Sequence, residues 1–360
     1  MPIETLLIYL QNNGVQVVFL SLEKEGDLHT ILKENGIEIY SHYIPKSNPL
    51  TYYINQVAFL TWFCKVHSIS HIFSNLQQAN LIAVLAQYLL KSKTYIFRHH
   101  FKFLSEKQDM VIERNRNERI GDWIINKLSS IIIVPSSGVF EGMNRRENVP
   151  RSKMSIIPYI YDFNQYKKPD QANVSRIQKK YPCQLMVIMV ARLIPLKRHA
   201  LVIKEFKKLM DLGMQLQMII LGEGPENDNL HWLIDELNLN ESVHLLGFRR
   251  DFIDYMAAAD LLIHPSLTEA SNSVVKEMAL MKKIVAVCEN VGDFSDYIED
   301  GVNGFFMPID EPEDRIAEII IQVYSNKNAY QLLGTNLHRT VLEKFSVSDK
   351  SMQPYLNLLK

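Results

Sequence analysis

A chain of 360 residues is long enough for two globular domains, and an apolar share of 47% can supply a core for each. A formal net charge of −1 sets up no overall field towards nucleic acid, so no nucleic-acid partner is expected. Three scattered cysteines, Cys64, Cys183 and Cys288, make no C-x-x-C pair, which argues against a disulfide framework or a thiolate zinc site and suits a reducing cytoplasm.

In chain order, short apolar, β-branched runs alternate with helical patterns. A first series predicts strands at Val15–Leu20, Ile37–Tyr40, His71–Ser74, Thr94–Arg98, Ser130–Pro135 and Ser155–Pro158. No signal-peptide pattern is read at the start. Between the second and third strands, Tyr52–Val66 is interrupted by Asn55, Gln56 and Lys65, and it reads as a buried helix, too short and too polar to span a bilayer. From Lys91 to Lys153 there are 13 Lys/Arg against 7 Asp/Glu, an excess of 13 − 7 = +6. That excess fits either a solvated helical face or a surface for an anionic acceptor or an acidic membrane leaflet. Tyr161–Pro182 is polar and poor in apolar residues, and reads as a linker.

A second series predicts strands at Leu185–Val190, Gln217–Leu221, Val243–Leu246, Leu261–Pro265, Ile284–Cys288 and Gly304–Met307. Continuous apolar strands spaced by helices are the signature of βαβ units, hence of parallel sheets covered on both faces. The expected fold class is therefore α/β, with two Rossmann-like parallel-sheet domains facing across a cleft. The first domain covers 1–165, with a tail helix at 346–360 packing back on it, and the second covers 183–345. Ligands of such sheets bind beyond the carboxyl ends of the strands.

Chemistry concentrates in the second domain. After the strand at Leu261–Pro265, a polar turn leads into a helix starting close to Ser271, which offers free backbone N–H groups and a positive dipole end suited to a diphosphate. Glu269 lies on the turn and Glu277 on the helix, where carboxylates could accept hydrogen bonds from sugar and ribose hydroxyls. Two glutamates eight residues apart are also what a surface helix shows by chance. Arg192 and Lys197 leave the sheet rim after Leu185–Val190 as cations, or as ordinary solvated side chains. Gly222-Glu223-Gly224-Pro225 is a turn but no dinucleotide fingerprint, since no third glycine follows.

The ordered set Gly222-x-Gly-Pro, Leu246-Gly247, Ala259-Asp260, Pro265-Ser266, Glu269-x7-Glu277 and Val291-Gly292-Asp293 to Gly304 resembles glycosyltransferase family 4, the retaining GT-B enzymes. The resemblance implies a glycosyltransferase (EC 2.4) that moves a sugar from a nucleoside-diphosphate donor, UDP preferred over GDP, to a glycan, glycolipid or lipid-linked acceptor. It implies surface polysaccharide or glycoconjugate synthesis in the cytoplasm at the inner face of the membrane. Peripheral contact with acidic lipid through 91–153 is compatible with that setting. No metal and no further cofactor are expected. Carried over residue by residue, Arg192 and Lys197 neutralise the diphosphate with the amides of Asn272, Ser273 and Val274. Glu277 holds the ribose, Glu269 the sugar, and His99 or His100 lies near the reacting face, unless one of these histidines is core and the other exposed. The family also opens with a strand and a Gly-Gly loop, where this sequence has Met1-Pro2, so the first domain is expected to lack its first strand, either because the true start lies upstream, the favoured reading, or because the enzyme is a degenerate form. A weakly active or inactive sugar-nucleotide-binding partner subunit, or an epimerase, remains open.

Overall fold

The computed structural model describes residues 3–46, 48–99 and 116–360. His100, one of the two expected active-site histidines, lies outside these residues, as does part of the basic 91–153 segment. The described chain divides into one unit of Met1–Phe163 with Phe345–Lys360, and a second of Asn164–Lys344.

The first unit runs α1 (Ile3–Asn12), β1 (Val18–Ser21), α2 (Asp27–Glu34), β2 (Glu38–Ser41), α3 (Pro49–Val66), β3 (His71–Ser74), α4 (Gln77–Ala86), β4 (Lys93–Phe97), α5 (Arg116–Leu128), β5 (Ile131–Val134), α6 (Ser137–Glu147) and β6 (Met154–Ile156). Every pairing is parallel, but the strands form two sheets, β1-β2 and β3-β4-β5-β6. Among the described residues no strand pairs with both β1 and β3. Packing joins what the sheets leave apart, since Leu6, Leu10 and Leu32 share one core with Tyr95, Phe97 and Ile133.

Local chemistry sets the helix starts. Asn48 accepts from Leu50 N at 2.9 Å and Thr51 N at 3.3 Å, and Pro49 has no N–H to satisfy, so α3 begins there. Sequence reading makes α3 a buried helix, and the structure corrects this. Its Tyr52, Gln56, Phe63 and Cys64 are buried, while Leu50, Ile54, Trp62 and Val66 are each more than half exposed. An all-round apolar pattern cannot say which face lies outward.

The second unit runs α7 (Gln171–Lys180), β7 (Leu185–Val190), α8 (His199–Asp211), β8 (Leu216–Leu221), α9 (Asn227–Glu236), β9 (Val243–Leu245), α10 (Phe252–Ala258), β10 (Leu261–His264), α11 (Ser273–Leu280), β11 (Ile284–Cys288), α12 (Phe294–Tyr297), β12 (Phe305–Met307), α13 (Glu313–Ser325) and α14 (Lys327–Phe345). Its parallel sheet has the order β12-β11-β10-β7-β8-β9. Strand order reverses between β7 and β10, so the carboxyl ends of those two strands flank the topological switch point. Part of the stretch read as a linker is α7, capped by Asp170 on Ala172 N at 2.9 Å and tied through Asn173 and the Asp170 amide to buried Asp254.

The chain ends in α15 (Asp349–Leu358), which belongs to the first unit and places Met352 and Tyr355 in its core. Tyr355 Oη donates to Pro158 O at 3.0 Å. No helix among the described residues is long and apolar enough to cross a membrane.

Candidate functional site

The switch point of the second unit gathers most of the expected site residues. Beyond β7 the chain turns through Arg192 and Lys197 into α8, and it is pressed against the loop that follows β8. A Cβ on Gly222, whose φ is +141°, would lie 1.9 Å from Ala191 O, and one on Gly224 would lie 2.3 Å from Leu193 O. Only glycine lets these two rim loops touch. Arg198, in the left-handed region with φ of 54°, is buried instead of facing solvent. Its guanidinium donates to Pro265 O at 2.6 Å and Ile309 O at 2.7 Å, pinning the exit of β10 beside the exit of β7.

Beyond β10, Glu269 is held from two sides. Lys197 Nζ pairs with its Oε1 and also donates to Ser266 Oγ at 3.2 Å; His264 Nε2 lies 2.6 Å from the same Oε1. Burial alone would raise the Glu269 carboxyl, but the hydrogen bond and charge of His264, with the charge of Lys197, hold it well below the usual carboxylate range. Gly292, with φ of +58°, passes so close that a Cβ there would sit 2.7 Å from the Glu269 Cβ. Both protein contacts fall on Oε1, so Oε2 keeps its lone pairs for another donor.

The helix α11 starts at the same rim. Asn272 caps it by accepting from Val275 N at 3.0 Å, while its own amide turns towards Asp293 Oδ1 at 3.4 Å. The N–H groups of Ser273 and Val274, in the first turn, therefore have no partner within the helix. Glu277 follows in the second turn, half-buried. Burial pushes its carboxyl up to about 7, partly offset by the Lys276 charge and a Ser273 hydrogen bond.

Sequence reasoning missed the scaffold of this helix. Lys276 and Asp293 form a buried ion pair at 2.6 Å, and Lys276 also donates to Asn272 O and Ser271 Oγ, both at 3.1 Å. A lysine inside an otherwise apolar helix stretch was the available signal. His264 was also missed, although a histidine ending a buried strand needs a polar partner.

Arg192 lies on the rim loop, exposed; its carbonyl accepts from Ile194 N at 2.9 Å, and its side chain makes no hydrogen bond to a described residue. In the first unit, His99 follows β4 and its Nδ1 meets the Tyr159 hydroxyl. No group of three or more His, Cys, Asp or Glu is placed to hold a metal among the described residues.

Comparison with known proteins decides the class. Residues 170–339, nearly the whole second unit, match the family described as "Glycosyl transferases group 1". The N-acetylgalactosamine-N,N'-diacetylbacillosaminyl-diphospho-undecaprenol 4-alpha-N-acetylgalactosaminyltransferase of Campylobacter jejuni is 25% identical over 305 residues, covering 80% of each chain. The second unit thus matches a glycosyltransferase family, and the chain has the GT-B fold. The poly(ribitol-phosphate) alpha-N-acetylglucosaminyltransferase of Staphylococcus aureus is 23% identical over 249 residues, 69% of this chain but only 50% of the relative. Among solved structures, Anabaena HepE in complex with UDP and glucose superposes with a TM-score of 0.79 at 22% identity, over 99% of this chain and 95% of HepE. At that identity the likeness speaks for the fold.

Proposed function

We propose that the second unit binds a UDP-sugar and that the enzyme transfers the sugar, with retention of anomeric configuration, to a glycan or lipid-linked acceptor. The observation that carries this reading is the convergence of Lys197, Glu269, His264 and the start of α11 at the switch point between β7 and β10.

The site's polar inventory matches a diphosphate beside a sugar. Lys197 has three N–H donors and commits two of them, to Ser266 and Glu269, which leaves one for a phosphate oxygen. The Ser273 and Val274 amides and the helix dipole add charge stabilisation, and exposed Arg192 supplies a mobile cation. Glu269, kept ionised by His264 and Lys197, offers Oε2 to a sugar hydroxyl. Glu277 meets the ribose hydroxyls and gives up its proton on doing so, because two hydroxyl donors favour the charged carboxylate. In the transfer, the bond between the anomeric carbon and the β-phosphate oxygen breaks. The acceptor oxygen bonds to that carbon from the same face, and the acceptor's proton passes to the departing phosphate.

The UDP preference is supported by the UDP complex of the fold neighbour HepE, and the acceptor class by the undecaprenol-linked substrate in the name of the Campylobacter relative. We assign His99 to the transfer step, so His99→Ala should slow turnover while leaving UDP affinity unchanged. A panel of UDP- and GDP-sugars, followed by UDP release and by NMR of the product's anomeric proton, tests the reading. Glu277→Ala should weaken UDP affinity about ten- to a hundredfold, the loss of hydrogen bonds to a charged group. Lys197→Ala should lower kcat about a hundredfold, as removal of a preorganised charge-stabilising donor does. Tighter binding of GDP than UDP, or an inverted product, would overturn the assignment. Donor binding without any release would favour a non-catalytic binding subunit.

A further inference from the structure

In the first unit, side chains from two separate strand ends meet at the carboxyl rim of the sheet. Strands β4, β5 and β6 are consecutive neighbours and parallel, so the exits of β4 and β6 stand two strand spacings apart, roughly 10 Å. His99 leaves β4, and Tyr159 follows β6. Their side chains close that gap: His99 Nδ1 meets Tyr159 Oη, with the ring centres 5.6 Å apart. Tyr159 has no part in the transfer chemistry proposed above.

Both residues are mounted on fixed backbone. On the β4 side, the Arg98 amide donates to Ile133 O and Asn80 Nδ2 donates to Phe97 O, each at 2.9 Å. The buried Arg98 guanidinium pairs with Asp122 at 2.8 Å and Glu147 at 3.1 Å, charges that are costly to separate away from water. On the β6 side, the residues around Tyr159 are held one after another. The Ile157 amide donates to Val134 O at 2.9 Å, Tyr355 Oη donates to Pro158 O at 3.0 Å, and Ile160 sits in the core. Two residues beyond Tyr159, the Tyr161 amide donates to Phe345 O at 2.8 Å, and Tyr161 O accepts from the Val347 amide at 3.0 Å. Tyr159 itself is only 5% exposed, so its hydroxyl is presented to His99 from a rigid support.

We propose that Tyr159 is a positioning residue, which fixes the ring rotation and the tautomer of His99 for sugar transfer. This rests on the assignment of His99 to the transfer step. A neutral imidazole carries its proton on either nitrogen and turns about its side-chain bonds. A bond at Nδ1 settles both at once, and so decides how Nε2 is aimed and whether it offers a proton or a lone pair. Misplacing a group at a reacting centre by about 1 Å can cost about a hundredfold in rate, which gives such a support catalytic value. A bond made only to satisfy a buried hydroxyl could go to any nearby carbonyl. Here it reaches the one described side chain of the first unit that is assigned to the transfer step.

Tyr159→Phe keeps the aromatic ring and removes only the hydroxyl, and its effect can be read on His99 directly. The full-length protein holds eleven histidines, and with isotope-labelled histidine the His99→Ala variant identifies the ring-nitrogen signals of His99 by NMR. Tyr159→Phe should move those two signals towards a common averaged value while the other histidine signals stay in place. With the UDP-sugar that turns over fastest in the donor panel, Tyr159→Phe should lower kcat about tenfold, one hydrogen bond's worth, and leave KM unchanged. In the His99→Ala background the same substitution should cost nothing further. Equal losses in both backgrounds would mean that Tyr159 only supports the fold, and unmoved His99 nitrogens would overturn the proposal as directly. A slow His99→Ala beside a parent-like Tyr159→Phe would overturn the positioning alone. A parent-like rate for His99→Ala would instead remove His99 from the transfer step, and the positioning with it.

Discussion

Two titratable side chains near the proposed donor site pull the pH dependence of stability in opposite directions. Burial first, then the charges of His264 and Lys197, lower the His199 imidazole to about 4, and its Nε2 is buried without a hydrogen-bond partner. Its folded value lies below its unfolded one, so the stability it contributes is complete above about 6.5 and is lost as pH falls towards 4. Glu277 is raised from 4.5 to about 7, so its contribution is complete below 4.5 and is lost as pH rises through 7. Each displacement corresponds to about 3 kcal/mol. The two windows overlap, and the net slope should be nearly flat between about pH 4.5 and 6.5. Urea unfolding against pH would expose each half. His199→Asn should make stability fall with rising pH across this window, and Glu277→Gln should make it rise. Parallel curves for wild type and both variants would count against these two environments. The sequence shows both residues, and it shows Glu277 at the right spacing. It cannot show their protonation, which depends on how much protein packs over each one.

At the scale of single elements, α11 depends on an ion pair that joins it to the loop after β11. Lys276 and Asp293 are 17 positions apart, and each side chain is nearly inaccessible to solvent. Burying such a pair repays its desolvation only while both partners are present. Lys276→Met should therefore cost about 3–5 kcal/mol, and adding Asp293→Asn to it should recover part of that loss. A double-mutant cycle in guanidinium measures the coupling, and additive losses would show that the pair contributes no joint stability. The Glu269-x7-Glu277 spacing was legible because both glutamates stand on one short turn-helix unit. Lys276 was not, because its partner arrives from another loop. The glycines behave the same way. Gly222→Ala should destabilise the second unit by more than 1 kcal/mol, because the left-handed backbone and the contact with Ala191 O are violated together. Local sequence announces a turn at Gly222-Glu223-Gly224, but only the fold reveals what the glycines touch.

Across the whole molecule, the chain completes one unit, builds a second, and returns to finish the first. The strand order was legible: each of the twelve apolar runs overlaps one of the strands β1 to β12, offset by a residue or so at five of them, since a buried parallel strand must be apolar on both faces. Pairing was harder to read. Hydrogen-bond partners are set by long-range packing, which is why the split into β1-β2 and β3-β4-β5-β6 follows from the structure. The returning helix α15 makes that split tolerable. Tyr355 is only 2% exposed, stacks on Phe97 with ring centres 6.4 Å apart, and shares its core with α1, α2 and β4, so one side chain bridges elements that the two sheets do not join. Tyr355→Ala opens a cavity there and should cost about 3–5 kcal/mol. The loss should be confined to one unit. In hydrogen-exchange mass spectrometry, amides of β1 to β6 should lose protection in this variant while those of β7 to β12 keep theirs, and UDP should still raise protection around β7, β10 and α11. Equal loss of protection in both halves would mean that α15 does more than close the core of the first unit.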